Sequence, residues 1–172
     1  PTLMHRTFKM SCAVGVCRDA TRTTWDVTGA YLQGDFKGKH VWARAPVDCR
    51  EYEEHGVDLI WTLARPLYGE PDAGRVWYET IAYYLIHDEQ YFRSTGDPCH
   101  FTRVFPDGTD IQHDLYVDDG STFDTNTKER EAFFDRFKQR FSISIVDSRF
   151  YLGMDIASPS KGVIKLSNAT YI

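Results

Sequence analysis

From Ile111 to Asp118 the chain alternates, with Ile111, His113, Leu115 and Val117 on one face of an extended segment and Gln112, Asp114, Tyr116 and Asp118 on the other. That period of two predicts a strand covered on one side. Asp118-Asp119-Gly120 closes the segment and predicts a tight hairpin turn, because Asp and Gly suit such turns. Residues 3–17 follow a different interval: Phe8, Cys12 and Val16 fall four apart with Leu3, Met4 and Val14 nearby, which predicts an amphipathic helix ending near Arg18-Asp19-Ala20. Residues 23–27 are β-branched and aromatic enough for a strand, running into the loop 28–34. Residues 41–44, closed by Pro46, and 58–63 predict the strands of a hairpin, with the polar segment 48–56 between them. Trp77, Ile81, Tyr84 and Leu85 recur at helical spacing after Glu70-Pro71-Asp72-Ala73-Gly74, which suits either a loop open to a flat ligand or an ordinary helix start. A turn at Asp97-Pro98 and a strand through 104 come next, and 105–109 turns back into the alternating segment. Residues 124–127 cap a helix whose Phe133, Phe134, Phe137 and Phe141 read as core packing, and 150–156 with 162–166 form a last hairpin.

The order is helix, strand, hairpin, helix, hairpin, helix, hairpin. It predicts an α+β fold, an antiparallel sheet with helices packed on one face. At 172 residues, 42% hydrophobic, the chain suffices for one well-buried domain. No apolar run approaches the roughly 20 residues of a membrane span, so no membrane partner is expected. The first residues carry neither a secretory segment nor an initiator Met, which leads us to expect an excised piece of a longer soluble polypeptide. Cys12, Cys17, Cys49 and Cys99 form no CxxC pair, so reduced intracellular thiols are expected. The six histidines are scattered singly, and His87 and His100 are open as ligands or as hydrogen-bonded bystanders. A net charge of −5 argues against a nucleic-acid partner when taken globally, but residues 1–50 carry +4, 51–127 carry −12 and 128–172 carry +3. The acidic middle is either a solvated surface or a centre that needs bound cations.

Two adjacent carboxylates at a strand end are either a plain turn or half of a divalent-metal site that needs a partner. Asp26 is the candidate partner. A carboxylate inside an apolar β run is expensive to bury unpaired, so Asp26 either caps the following turn or is neutralised by a metal. On an antiparallel sheet Asp26 and Asp118 can be neighbours. Two Mg²⁺ ions roughly 3.5–4 Å apart, held by a few carboxylates, can activate a hydroxyl on one side of a phosphorus and stabilise the leaving oxygen on the other.

Five blocks in collinear order resemble the reverse transcriptase of copia-type LTR retrotransposons (pseudoviruses). Trp25-Asp26-Val27-Thr28-Gly29-Ala30-Tyr31-Leu32-Gln33-Gly34-Asp35 resembles the family's first catalytic block, and Leu67-Tyr68-Gly69 with Ala73, Arg75, Trp77 and Tyr78 resembles the next. Tyr116-Val117-Asp118-Asp119 matches the signature tetrad, while 150–156 and Leu166-Ser167 through Tyr171-Ile172 resemble the closing blocks. The resemblance implies a right-hand polymerase palm with partial fingers, an RNA-directed DNA polymerase that joins a dNTP to a primer on an RNA or DNA template. It implies Mg²⁺, with Mn²⁺ able to take its place, at Asp26 and Asp118, with Asp119 as the less direct ligand. The backbone from Val27 to Ala30 and the residues Gly69 and Tyr116 would meet the nucleotide. Tyr31 would lie under the sugar, where a phenol leaves no room for a 2′-hydroxyl, although it also reads as a core aromatic. Leu152, Gly153 and Met154 would grip the primer end.

The resemblance also implies partners in the rest of a polyprotein, an integrase and an RNase H, and a cytoplasmic virus-like particle. N-terminal fingers strands, a thumb and the RNase H are expected outside 1–172. Where the family has Leu-Lys-Gln then Ala-Pro-Arg, this chain has Glu70-Pro71-Asp72 then Ala73-Gly74-Arg75, and Asp114 shares a face with Asp118 as a further metal neighbour or a mark of a decaying copy. The alternative reading is a catalytically silent remnant serving as a structural or nucleic-acid-binding module. A nucleotidyl cyclase ranks lower, since its Gly-Gly-Asp/Glu-Glu-Phe turn is missing. Residues 1–172 alone are expected to bind Mg²⁺ weakly and to polymerise poorly or not at all, which a primer-extension assay checks.

Overall fold

A computed structural model describes residues 1–49, 60–146, 149–160 and 162–168. Helix α1 (His5–Cys17) leads into β1 (Thr21–Val27), a short 3₁₀ turn (Ala30–Gln33) and the strands β2 (Val41–Arg44) and β3 (Ile60–Leu63). Helix α2 (Ala73–Tyr83) widens into a π-type turn (Tyr84–Asp88) and is followed by β4 (Phe92–Arg93), β5 (His100–Val104), β6 (Asp110–Tyr116) and β7 (Asp119–Asp124). Helix α3 (Thr127–Arg140) then gives way to β8 (Ile143–Val146), β9 (Phe150–Tyr151), β10 (Met154–Ser160) and β11 (Val163–Ser167). Among the described residues this mixed fold has three antiparallel sheets: six strands ordered β4-β5-β6-β7-β1-β8, three ordered β11-β10-β9, and the pair β2-β3. The predicted helices and hairpins follow in the expected order, but β4 and β8 are additional strands and the segment 150–156 is divided by a turn at Leu152-Gly153. Residues 58 and 59 of the predicted strand, most of the polar segment 48–56, and Tyr171 and Ile172 of the last block lie outside the described residues.

The expectation of helices on one face does not hold. Adjacent residues of a strand point to opposite faces, and in β7 both are covered. Thr122 accepts a hydrogen bond from Trp25 Nε1 at 2.9 Å, on the face where Trp25 meets Phe137 of α3 edge-on at 5.0 Å. Phe123, on the other face, lies 6.3 Å from Phe8 of α1. The central strands need covering on both sides because both sides are buried, the polar-looking one included. In β6, Asp114 is fully buried and its Oδ1 lies 2.7 Å from His100 Nδ1, a partner inside the protein for one of its two oxygens, while Oδ2 is buried without one among the described residues. Its neighbour His113 faces α3, with its ring 4.4 Å from Phe133, and burial holds it neutral with its pKa near 3.

The helices form for the reasons their patterns suggest. The Asn126 side chain caps α3 by accepting from Glu129 N at 3.1 Å, and Lys138 and Arg140 sit in its last turn, where the helix dipole favours cations. Its Phe133, Phe137 and Phe141 join Trp25, Trp77 and Tyr84 in the core. All four cysteines are free thiols, Cys12 and Cys99 buried. Among the described residues no helix is long and apolar enough to cross a membrane.

Gly120 stands opposite Trp25 in the β1–β7 pairing, and a Cβ placed on it would fall 2.1 Å from the indole ring. Gly120→Ala is therefore expected to destabilise the chain by about 3 kcal/mol or more, read from the midpoint of chemical denaturation. An unchanged midpoint would remove this packing argument.

Candidate active site

Strands β1 and β7 pair so that Asp26 stands directly opposite Asp119. Strands β6 and β7 pair Tyr116 with Asp119, which leaves Val117 and Asp118 as the two-residue turn. The predicted Asp-Gly turn is thus displaced by one step: Asp119 and Gly120 open β7, because Gly120 is required beside Trp25. Val117 takes the left-handed conformation, φ +58°, which costs a β-branched residue about 1–2 kcal/mol. Two hydrogen bonds hold the turn. Trp77 Nε1 of α2 donates to the Val117 carbonyl at 2.6 Å, and Val27 N, one residue after Asp26, donates to the Asp118 carbonyl at 2.9 Å.

Asp26 and Asp118 are half-buried and Asp119 is exposed. Among the described residues no Lys, Arg or His pairs with any of them. Partial burial, and then the Asp118 charge, raise the Asp26 carboxyl above its ordinary range. The protein around Asp119 raises its carboxyl too, helped by Asp118 and then Asp26. Asp26 does not cap the loop after β1. That loop is held by Gln33, whose Nε2 donates to Thr28 O at 2.7 Å and whose Oε1 accepts from Ser142 N at 2.8 Å.

Several acids elsewhere in the middle of the chain are paired, and their partners come largely from its basic ends. Arg18 meets Asp110 at 2.9 Å, Lys39 meets Asp72 at 2.5 Å, Arg130 meets Asp124 at 3.2 Å and Arg136 meets Glu89 at 2.7 Å. Asp72, one of the two acids that depart from the family pattern, is bonded by Lys39 and Arg75, which lower its carboxyl below the ordinary range. Among the described residues the acids of the hairpin tip have no such compensation. The three carboxylates lie together but open, since among the described residues no three His, Cys, Asp or Glu groups converge to hold a metal.

Two openings flank the tip. A groove of about 510 Å³ runs between it and the β9–β10 turn, lined by Tyr116, Asp119, Phe150, Leu152, Gly153 and His5. On the other side a cavity of about 180 Å³ is lined by Tyr31, Gly74, Trp77, Tyr78, Leu115 and Val117.

The model of the family described as reverse transcriptase (RNA-dependent DNA polymerase) matches residues 1–172. The chain belongs to the reverse transcriptase family. It is similar to the Transposon Ty1-MR1 and Ty1-GR1 Gag-Pol polyproteins of Saccharomyces cerevisiae, 26% identical over 147 residues, or 85% of this chain. The Transposon TyH3 Gag-Pol polyprotein of the same yeast matches to the same extent. The chain spans about 8% of the length of these relatives. The copia-type retrotransposon resemblance read from the sequence agrees with these matches.

Within this reverse transcriptase fold, Val27 and Ala30 are each 1% exposed, backbone included, and Val27 N is already bonded to the Asp118 carbonyl, so the exposed backbone here is that of Thr28 and Gly29 between them. Tyr31 lines the cavity while its ring lies 4.7 Å from Tyr68, so lining and packing are one arrangement. Gly69, with φ +92° and open space where a Cβ would stand, lines neither opening. Tyr116 is 37% exposed at the groove, and Met154, though only 3% exposed and part of the core, also borders it. The β9–β10 turn thus brings Leu152, Gly153 and Met154 to the groove, the first two left-handed at φ +53° and +73°. Asp114 turns away from the tip to His100, and His87 packs its ring 4.4 Å from Tyr83. His5 went unnoticed in the sequence. It is a lone histidine at a helix start, and its contact, Leu152, lies 147 positions away.

The raised carboxyls make the tip a source of instability. Asp26 and Asp119 bind protons more readily folded than unfolded, so repulsion is absent below the ordinary carboxylate pKa of 3.8 and grows as pH rises through their raised values. Asp119→Asn is expected to raise the metal-free Tm at pH 7, with the gain shrinking as pH falls toward 4. A Tm that drops at pH 7 would contradict this.

Proposed function

We propose that the chain is the palm, with part of the fingers, of a retrotransposon reverse transcriptase that extends a primer on an RNA or DNA template within a Gag-Pol-type polyprotein. The observation that carries this reading is the register of β1 on β7. It gathers Asp26, Asp118 and Asp119 at one tip, uncompensated by any cation among the described residues, between a groove and a cavity.

The donor set suits Mg²⁺ or Mn²⁺. These are hard oxygen ligands whose mutual repulsion a divalent cation relieves, and Mg²⁺ commonly binds through one or two carboxylates plus substrate phosphates, so an open cluster suffices. Asp26 and Asp118 would hold the ions, with Asp119 beside them. When bound, the metal pair lowers the cost of ionising the attacking hydroxyl and of charge on the leaving group.

The chain's own residues do the positioning. The primer end lies in the groove between Asp119 and the Leu152-Gly153 turn, and the dNTP lies on the Tyr31 side, approached by backbone between Val27 and Ala30. Gly69 serves the nucleotide or template, while Tyr116, at the groove beside Asp119, stands on the primer side. The primer 3′-oxygen bonds to the α-phosphorus, the bond to pyrophosphate breaks, and the hydroxyl proton passes to solvent. Catalysis is then alignment and charge neutralisation. Fingers strands, thumb, RNase H and integrase would be supplied by the rest of the polyprotein, acting in a cytoplasmic particle.

In a polyprotein carrying this chain, Asp26→Asn and Asp118→Asn are each expected to lower primer extension by at least about 100-fold. Equal extension by wild type and Asp118→Asn would sink the polymerase reading in favour of a silent module. Tyr31→Ala is expected to raise ribonucleotide relative to deoxynucleotide incorporation by about 10–100-fold, measured by single-nucleotide extension.

A further inference from the structure

The wall of the groove facing Asp119 is the β9–β10 turn, and its backbone is not at rest. Leu152 and Gly153 are both left-handed, a conformation that suits Gly and disfavours Leu. Such a residue persists only where its surroundings hold it. Helix α1 does the holding. His5 Nε2 donates to the Leu152 carbonyl at 3.0 Å, and a carbonyl can only accept, so the ring carries its proton on Nε2. Phe8, one turn further along the same helix face, packs 4.8 Å from Tyr151, the residue before Leu152. The Tyr151 hydroxyl in turn donates to the Asp114 carbonyl of β6 at 2.9 Å, two residues before Tyr116.

The start of α1 is itself fixed. Met4 N donates to Oδ2 of Asp97 at 2.9 Å, and Asp97 is 2% exposed with its other oxygen taken by Cys99 N. The path from the strand that delivers the tetrad to the turn across the groove is therefore a short run of direct contacts. His5 is its exposed member and lines the groove itself.

We infer that His5 is a positioning residue for nucleotidyl transfer, holding the Leu152 carbonyl so that the turn presents the primer terminus to Asp119 in one geometry. The inference rests on the polymerase reading of the site. His5 acts through Leu152 and needs only an N–H donor at the right reach, and misplacing a reacting end by about an ångström is enough to slow a reaction about 100-fold.

The test compares His5→Ala, His5→Gln and Asp118→Asn in the polyprotein carrying this chain, on one defined primer–template. His5→Ala should lower kcat for single-nucleotide extension about tenfold or more, with the dNTP KM within twofold and the Tm within about 2 °C of wild type. His5→Gln, whose amide can donate to the same carbonyl, should restore kcat to within about threefold. Wild-type kinetics for His5→Ala beside an inactive Asp118→Asn would overturn the role of His5 and leave the polymerase reading standing. Failure of Gln to rescue would overturn it too, as would a loss of Tm that accounts for the lost activity. An Asp118→Asn protein as active as wild type would remove the polymerase reading itself, and this inference with it.

Discussion

The register of β1 against β7 is the constraint on which the other features depend. One pairing sets Trp25 over Gly120 and, one step along, Asp26 beside Asp119. The first contact is packing and the second is repulsion, and they cannot be separated, because a slip by one residue would turn every side chain of β1 to the opposite face. The indole over Gly120, bonded to Thr122 and backed by Phe137, anchors a register that the carboxylates alone would oppose. Stability made in the core thus holds the acids together at the tip, a trade expected where a site must bind charge.

The charges elsewhere show that this tip is no mere excess of acid. The negative middle of the chain is answered by arginines and a lysine from both ends: Arg18 on Asp110, Lys39 on Asp72, Arg130 on Asp124, Arg136 on Glu89. Glu89 illustrates the difference. Burial alone would raise its carboxyl, but the two-pronged Arg136 contact and the Tyr84 hydroxyl bring it below its ordinary range, whereas Asp26 and Asp119 shift upward for want of any such partner. Neutralisation is spread across the fold, and the three acids clustered at the tip receive none of it among the described residues.

Much of this was legible in the sequence, and the misses have physical causes. Phe133, Phe137 and Phe141 announce α3 because a helix repeats its buried face, and the hairpins announce themselves by alternation and turn residues. Asp26 stood out as a carboxylate in an apolar strand. The tip was misplaced by one residue because Asp-Gly is read as turn chemistry, while Gly120 serves a close approach that only the partner strand reveals. The second layer of helix was missed because Asp114 and His100 look like surface residues until they are seen to pair with each other in the interior. His5 left no local signal at all, since a single hydrogen bond across 147 positions has no periodicity to detect.

The hairpin's alternation, first taken as one buried and one wet face, acquires a different meaning once both faces are covered. Leu115 and Val117 point toward the cavity with Tyr31 and Trp77, while Tyr116 and Asp119 point toward the groove with Leu152. On the polymerase reading, neighbouring residues of one strand then serve the nucleotide and the primer separately, and the turn between them must hold both in line. That requirement accounts for a tip gripped from two sides, by Trp77 at Val117 and by Val27 at Asp118, and for the tolerance of a left-handed valine there. A relaxed turn would aim Asp118 elsewhere, so the strain is the cost of pointing a carboxylate between two openings rather than into either.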